Sequence, residues 1–307
     1  LRIAIIGRRE NLLETAIKLH QNGHEIALIV TAKEAPEYTA TTDDFKQLAN
    51  DLRVPFIQTP KINKLLDTIR QLPPMDIGIS ANYINIITQP VVDCFRLGIL
   101  NSHGGDLPRF RGNACQAWAI LNGEERIGLC VHKMIGGELD SGDIITRDYY
   151  PLNINTKITD IYEWTYQRSQ DLFLEAIDKL EADPGYVLES QSQKPADALR
   201  CYPRKPEDGR IDWNKPAIDV LRLINASNSP YAGAFCSLEG KKLIIWDAEL
   251  VEVQENFLAV PGQVTMIGDG FVEIACATGK IRLLQVEIAG VVNSPDSWIK
   301  SIRQRLK

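Results

Sequence analysis

Over its first hundred residues the chain alternates short, continuously apolar runs with amphipathic stretches, and no other feature limits its fold as much. The runs are RIAIIG (2–7), EIALIVT (25–31), VPFIQ (54–58), DIGISA (76–81) and GILN (98–101). Between them, residues 11–21 carry Leu12, Leu13, Ala16, Ile17 and Leu19 at roughly helical spacing. TDDFKQLAND (42–51) reads as a second helix capped by Thr42 or Asp43, and further helices are expected near 62–70 and 89–94. A strand that is apolar along its length is buried on both faces, the condition of a parallel sheet with helices on each side. The expected fold class is therefore α/β, a Rossmann-like parallel sheet with helices on both faces. Sheets of this kind bind ligands at the carboxyl ends of their strands.

The rhythm continues beyond Gly112 with a helix (113–122), strands at 127–134 and about 143–150, and a long amphipathic helix from about 157 to 180. The polar stretch SQSQKPADALRCYPRKPEDGR (190–210) holds three prolines and suits a linker. After a helix at 215–226, strand-like pieces are separated by glycine turns at Glu239-Gly240, Gly268-Asp269-Gly270 and Thr278-Gly279. They predict a small C-terminal β-barrel (OB-like) domain. The expected boundaries are 1–182 for the first domain, 183–205 for the linker and 206–307 for the small β-domain.

Charge and cysteine usage narrow the function classes. A net charge of −6 argues against a protein built on nonspecific affinity for polyphosphate. The six cysteines (94, 115, 130, 201, 236, 276) form no C-x-x-C pair and no cluster with histidine at zinc spacing. They read as small apolar residues of a reduced, intracellular protein, with no metal expected. There is no signal-peptide pattern and no apolar run near the ~18 residues that span a bilayer, so a cytoplasmic location without membrane contact is expected.

The first strand–helix turn, IIGRREN, holds only Gly7 where a dinucleotide turn needs G-x-G-x-x-G, so no nicotinamide dinucleotide is expected. Arg8 and Arg9 read either as contacts for an anionic ligand at the strand end or as solvated surface charge. In GILNSHGGDLPRFRG (98–112), an apolar run delivers Asn101 and His103 into a loop rich in glycine. Taken singly, Asn101 is a turn residue and His103 a surface imidazole. Both, however, lie at the ligand edge, and a spacing of two lets their side chains project to one side. The later loop IGGELDSGD (135–143) offers Asp140. A carboxylate beside His103 would orient the ring and favour its protonated form. An amide N–H beside both can donate to a developing oxyanion. With no G-x-S-x-G elbow and no activated cysteine, direct attack by the substrate itself is favoured over a covalent enzyme intermediate.

At these residues the chain resembles the folate-dependent formyltransferases. The shared pattern is N-x-H (Asn101-Ser102-His103), then LP and a basic residue with glycine (Leu107-Pro108-Arg109-Phe110-Arg111-Gly112), then Leu139-Asp140-Ser141-Gly142. Methionyl-tRNA formyltransferase, the formyltransferase domain of the aminoarabinose-lipid pathway and glycinamide ribonucleotide transformylase share it. The first two are also similar to PRKPEDGRIDWNKPA, SPYAGAF and KKLIIWDAEL in the C-terminal part. The resemblance implies that Asn101 stabilises the oxyanion, that His103 is the general acid and base, and that Asp140 raises the His103 pKa. It implies 10-formyltetrahydrofolate as co-substrate, bound near Asn85, Ile86 and Ile87 and by Gly136, Gly137, Glu138 and Leu139.

Two departures from the tRNA enzymes stand out. Asp106 places an extra carboxylate by the site, where it either meets an amino group's positive charge or caps the turn. The basic, glycine-rich insertion that those enzymes carry after the second strand is replaced by TAKEAPEYTATTDDF (31–45), with one lysine against four acids. Residues 200–307 hold 14 Lys/Arg and 13 Asp/Glu and show no basic excess either. The expected acceptor is thus the primary amine of a nucleotide-linked amino sugar, in a setting such as lipopolysaccharide biosynthesis. Arg8, Arg9, Arg109 and Arg111 are candidates for its diphosphate. Methionyl-tRNA formylation, with tRNA as partner, is the alternative reading; a non-catalytic folate-binding protein is the second. A homodimer is left open.

Overall fold

The computed structural model of the chain describes residues 1–252 and 256–307. Its first elements are β1 (Arg2–Gly7), α1 (Glu10–Gln21), β2 (Glu25–Thr31), α2 (Thr42–Leu52), β3 (Phe56–Gln58), α3 (Leu66–Gln71), β4 (Ile77–Ala81), α4 (Gln89–Val92) and β5 (Ile99–His103). Then follow β6 (Arg111–Gly112), α5 (Cys115–Asn122), β7 (Arg126–Lys133), β8 (Ile144–Pro151), α6 (Ile158–Ala182) and β9 (Arg200–Cys201). The chain forms two compact units. One comprises Leu1–Cys115, Ile127–Tyr150 and Glu163–Tyr202; the other comprises Gln116–Arg126, Pro151–Tyr162 and Pro203–Lys307.

The first unit is built on a seven-stranded sheet in the order β3-β2-β1-β4-β5-β7-β8. The pairs β2–β3, β1–β2, β1–β4 and β4–β5 are parallel. Burial on both faces explains the continuous apolar runs. Ile3 and Ile5 join one core layer with Leu12, Ala16 and Leu19 of α1, Phe45 and Ala49 of α2, and Leu172 and Phe173 of α6. Ala4 and Ile6 join the opposite layer with Ile62, Ile69, Val91 and Val92. Each fully buried aliphatic side chain of this kind stabilises by about 1.5–3 kcal/mol before chain entropy is subtracted. The sheet winds outward from β1 to β3 and then returns to β4 on the other side of β1. The strand order therefore reverses between β1 and β4, which is where sheets of this type open a crevice.

Two details differ from the sequence-based expectation. The sheet is parallel over five strands and becomes mixed at β7, which starts beside the carboxyl end of β5 and runs back along it, with His103 opposite Cys130 and Leu100 opposite Lys133. An apolar run reads the same in either direction, so the pattern carried no sign of this. Helix α2 is capped by Thr41, one residue before the expected cap. The Thr41 hydroxyl accepts from Asp44 N while Asp44 Oδ2 accepts from Thr41 N at 2.7 Å, a reciprocal box. The neighbouring Thr42 hydroxyl is drawn instead to Glu34 Oε2, at 2.8 Å.

The second unit contains α7 (Ala217–Ala226), β10 (Ala234–Leu238), β11 (Lys241–Val251), β12 (Val264–Ile267), β13 (Val272–Ala275), β14 (Lys280–Ile288) and β15 (Val291–Asn293). Its sheet order is β10-β11-β14-β13-β12, with β15 on β14, and neighbouring strands pair antiparallel. Leu306 bridges Leu238 of β10, and Arg305 bridges Gln263 beside β12. The residues 305–307 thus join the two strands that end the sheet, closing it in the manner of a small barrel. Trp213, Leu221, Ile224, Leu243, Ile245 and Leu283 are among its core. All six cysteines are free thiols, five of them buried, and burial pushes Cys236 and Cys276 up to about 12. Among the described residues no helix is long and apolar enough to cross a membrane.

Candidate active site

The carboxyl ends of β4 and β5 and the loop after β7 bring the candidate residues together in the first unit. Asn101 and His103 sit on β5, and Asn101 pairs across the ladder with His132 of β7. Asp140 comes in from the loop between β7 and β8 in the left-handed region, with φ of 51°. An aspartate tolerates that conformation better than a bulkier residue, and such backbones cluster at functional sites.

The Asp140 carboxylate lies between two imidazoles. Its Oδ2 is 3.5 Å from His103 Nδ1, and its Oδ1 is 3.5 Å from His132 Nε2. Gly112 N donates to Oδ2 at 2.9 Å. Burial opposes ionisation of this carboxyl, but the neighbouring His103 and the Gly112 N–H outweigh it and hold the group well below the usual carboxylate range. His103 Nε2 lies 2.6 Å from the Phe110 carbonyl, in the loop after β5. Gly105 packs on the same ring: a Cβ there would strike the Phe110 carbonyl and come within 2.6 Å of His103 Nε2. Gly105 must therefore remain bare for the imidazole to lie where it does. Gly142 has the same constraint, since its Cβ would fall on the Lys133 carbonyl oxygen. This accounts for the glycine that follows Asp140-Ser141.

The segments expected to hold a folate are brought together as well. Gly137 N donates to the Ile87 carbonyl at 2.9 Å, and Gly136 N donates to Gln89 Oε1 at 2.8 Å. Asn63 Nδ2 donates to the Ile86 carbonyl at 3.0 Å, and Asn85 Nδ2 to the Pro60 carbonyl at 2.5 Å. Two carbonyls of the segment 85–87 are therefore engaged within the protein. Ile84 and Ile86 are about half exposed. Glu138 Oε2 accepts from the Ser141 hydroxyl at 2.5 Å, and Leu139 is half-buried in the same loop.

The remaining candidates are dispersed. Arg8, at the carboxyl end of β1, donates to the Asn82 and Lys33 carbonyls, both at 2.9 Å. Arg9 is paired with Glu10, and both guanidiniums stand 5.3 Å from the Tyr38 ring centroid. Asp106 lies in the loop between β5 and β6, its backbone packed against Gly128 of β7. Arg109 is exposed, over the Phe110 ring. Arg111 turns inward, donating to Gln191 Oε1 and to the Ser192 carbonyl. Gln191 in turn donates to the Asp140 and Gly142 carbonyls, so Arg111 braces the Asp140 loop from behind.

Four further residues of this region, His132, Gln191, Asn63 and Gln89, carry no motif in the sequence that marks them. His132 stood in an apolar strand and gave no signal beyond being one of four histidines. Among the described residues no group of three or more His, Cys, Asp or Glu side chains is arranged to hold a metal ion.

The formyl transferase family model matches residues 1–177, and that of the formyl transferase C-terminal domain matches residues 204–303. The chain is 28% identical to the methionyl-tRNA formyltransferase of Geobacter sulfurreducens over 298 residues, which is 94% of this chain and 90% of that protein. Among solved structures it is similar to an N-formyltransferase from Helicobacter canadensis in complex with folinic acid and dTDP-3-aminofucose. That likeness has a TM-score of 0.69 at 17% identity and covers 92% of this chain and 99% of that one. WlaRD, a sugar 3N-formyl transferase solved with dTDP and 5-N-formyl-THF, gives a TM-score of 0.66 at 17% identity, covering 92% and 97%. HypX from Aquifex aeolicus, solved with tetrahydrofolic acid, gives 0.63 at 19% identity. The match covers 98% of this chain but 47% of HypX, so this chain spans about half the length of that protein. At these identities the structural likenesses are likenesses of fold.

Proposed function

The chain belongs to the formyl transferase family, and we propose that within it the chain moves a formyl group from 10-formyltetrahydrofolate to the primary amine of a nucleotide-linked amino sugar. The observation that carries the choice of acceptor is the acidic segment 31–45 between β2 and α2. Its own backbone N–H and the Thr42 hydroxyl and N–H hold Glu34 below the usual carboxylate range. Thr41 does the same for Asp44. The segment is therefore firmly anionic at neutral pH, where a polyphosphate partner would need counter-charge. Solved relatives bound to dTDP or to dTDP-3-aminofucose support the same acceptor class.

In this reading the folate supplies an already electrophilic formyl carbon. Asn101 donates an amide N–H to the formyl oxygen as it gains charge, an interaction whose loss costs roughly 10²–10³ in kcat in comparable sites. His103 keeps Nδ1 toward Asp140 and uses Nε2 for the proton, taking the amine in place of the Phe110 carbonyl. A bond forms between the amine nitrogen and the formyl carbon, the bond from that carbon to the folate nitrogen breaks, and His103, protonated on Nε2, gives that proton to the folate nitrogen and takes up the amine's proton in its place. Asp140, ionised, holds the ring in place throughout. Arg8 and Arg9, gathered on Tyr38 at the mouth of the crevice, are the side chains we assign to the diphosphate, with Arg109 beside the β5 loop. Arg111 contributes through Gln191. We set the reaction in the cytoplasm, upstream of lipopolysaccharide assembly.

The test is formyl transfer to a panel of dTDP- and UDP-linked amino sugars, read by mass as the formamide. Turnover with a nucleotide-linked amine, and much less with the free amino sugar, is expected. The second reading, methionyl-tRNA formylation, is favoured by the Geobacter sulfurreducens relative. Tight, salt-sensitive binding of charged initiator tRNA together with its formylation would establish that reading and remove the sugar.

A further inference from the structure

We propose that His132 is a positioning residue of this site: a neutral imidazole protonated on Nδ1, it accepts an N–H of Asn101 on Nε2 and so fixes which end of that amide faces the substrate. The role in turnover rests on the formyl-transfer reading above; the protonation assignment does not.

His132 is 1% exposed and lies directly opposite Asn101 in the β5–β7 ladder. Its Nδ1 is 2.9 Å from the Lys133 carbonyl, which can only accept, so Nδ1 carries a proton. Its Nε2 is 3.3 Å from Asn101 Nδ2 and 3.5 Å from Asp140 Oδ1. A proton on Nε2 would point at the carboxylate; a lone pair there would accept from the amide.

The neighbouring ring decides between these. Both nitrogens of His103 face acceptors, the Phe110 carbonyl at 2.6 Å and Asp140 Oδ2 at 3.5 Å. A His103 with two N–H groups satisfies both, and with one N–H it sets a lone pair against an oxygen. Asp140 brings one negative charge to balance one cation in this buried cluster. His132 has a donor within reach and His103 has none among these contacts. The second proton therefore belongs to His103, and His132 is left neutral with its Nε2 lone pair on Asn101.

The consequence falls on Asn101. An amide presents two donors at one end and an acceptor at the other. With Oδ1 turned to His132, two lone pairs would oppose each other; with Nδ2 turned to it, a hydrogen bond forms. The second N–H of Nδ2 then remains for the formyl oxygen. Without the acceptor at position 132 the amide can flip and offer an oxygen where charge develops. A histidine buried merely to fill the β7 face would need only its bond to Lys133.

The experiment begins with the wild-type enzyme labelled with 15N. His132 Nε2 is expected at the lone-pair position of the imidazole spectrum and Nδ1 at the protonated position. A proton found on Nε2 overturns the proposal whether or not turnover is seen. If no amine acceptor is formylated, the functional reading fails on its own while the tautomer still decides the assignment. With turnover, His132→Leu is expected to lower kcat about 10- to 100-fold, part of the effect of losing an oxyanion donor, with KM for the folate changed less than about threefold. His132→Gln, whose amide reaches as far as Nε2, should recover most of that loss. In an Asn101→Ala background, His132→Leu should cost less than about twofold further, because its partner is already gone. Equal losses in both backgrounds, or a glutamine variant as slow as the leucine one, would overturn the proposal. Should the leucine variant not fold, the glutamine variant and the tautomer carry the test.

Discussion

The pocket around Asp140 and the turn between β2 and α2 both hold carboxylates below their ordinary range, but by opposite means. Asp140 is buried, and burial works against its charge; it ionises because the His103 imidazole and the Gly112 N–H overcome that cost. Glu34 and Asp44 are in solvent and need only nearby N–H and hydroxyl donors. Among the partners of Asp140 are imidazoles, a group type that can gain or lose a proton. Those of Glu34 and Asp44 are hydroxyl and peptide groups that stay as they are near neutral pH. A low carboxylate pKa is therefore no sign of catalysis by itself; the chemistry lies in what surrounds the group.

The largest effect that bears on this contrast is expected from the pocket. His103→Ala and Asp140→Asn should each lower kcat by roughly 10²–10⁴ with the circular dichroism spectrum retained, as general acid–base and orienting groups do elsewhere. Wild-type rates in both would show that the pocket is no different in kind from the turn. Next comes acid stability. Asp140 has a folded pKa below its unfolded value near ~3.9, so its contribution is fully present above about pH 4 and is lost as the pH falls further. Denaturant titrations below pH 4 should therefore show a shallower pH slope for Asp140→Asn than for wild type. Equal slopes would mean that His103 does not favour the charged carboxylate.

The turn should respond on a smaller scale. Thr41→Ala removes one half of the capping box and is expected to cost about 1 kcal/mol of stability with kcat unchanged, measured by urea unfolding and by turnover. A change in kcat would connect the turn to the site. Smallest is Glu34→Gln, which should leave turnover and Tm unaltered and speed hydrogen exchange only at the Thr42 amide, where Glu34 Oε2 accepts at 3.2 Å.

Legibility in the sequence followed how local the determinants were. The strands of the first unit announced themselves because residues such as Ile3 and Ala4 feed opposite core layers, which leaves no polar position between them. Asn101, His103 and Asp140 were readable because polar residues interrupt apolar runs at strand ends. The direction of β7 was not readable, since reversing an apolar run leaves its pattern unchanged. His132 was hidden for a related reason: it occupies a core position, and its partners Asn101 and Asp140 come from separate loops and strands. Arg111 looked like a ligand for a diphosphate because it is an arginine in the loop that follows Asn101 and His103. Its actual partner, Gln191, lies 80 residues away. Hydrogen bonds over such separations leave no local signature. The cap of α2 was misplaced by one because two threonines adjoin, and only Glu34, eight residues earlier, distinguishes them.

The seam at residues 305–307 has a bearing on self-association. Ser237 and Lys307 exchange backbone hydrogen bonds at 2.6 and 2.9 Å, while Leu306 N donates to the Gly262 carbonyl at 2.8 Å, so one short segment occupies the edges of two strands at once. Peeling it away would uncover both edges together. Each could then pair with the same segment of another copy, and one barrel could become a link in a chain of swapped barrels. Three residues, 305–307, thus cover the edges of two strands in the second unit.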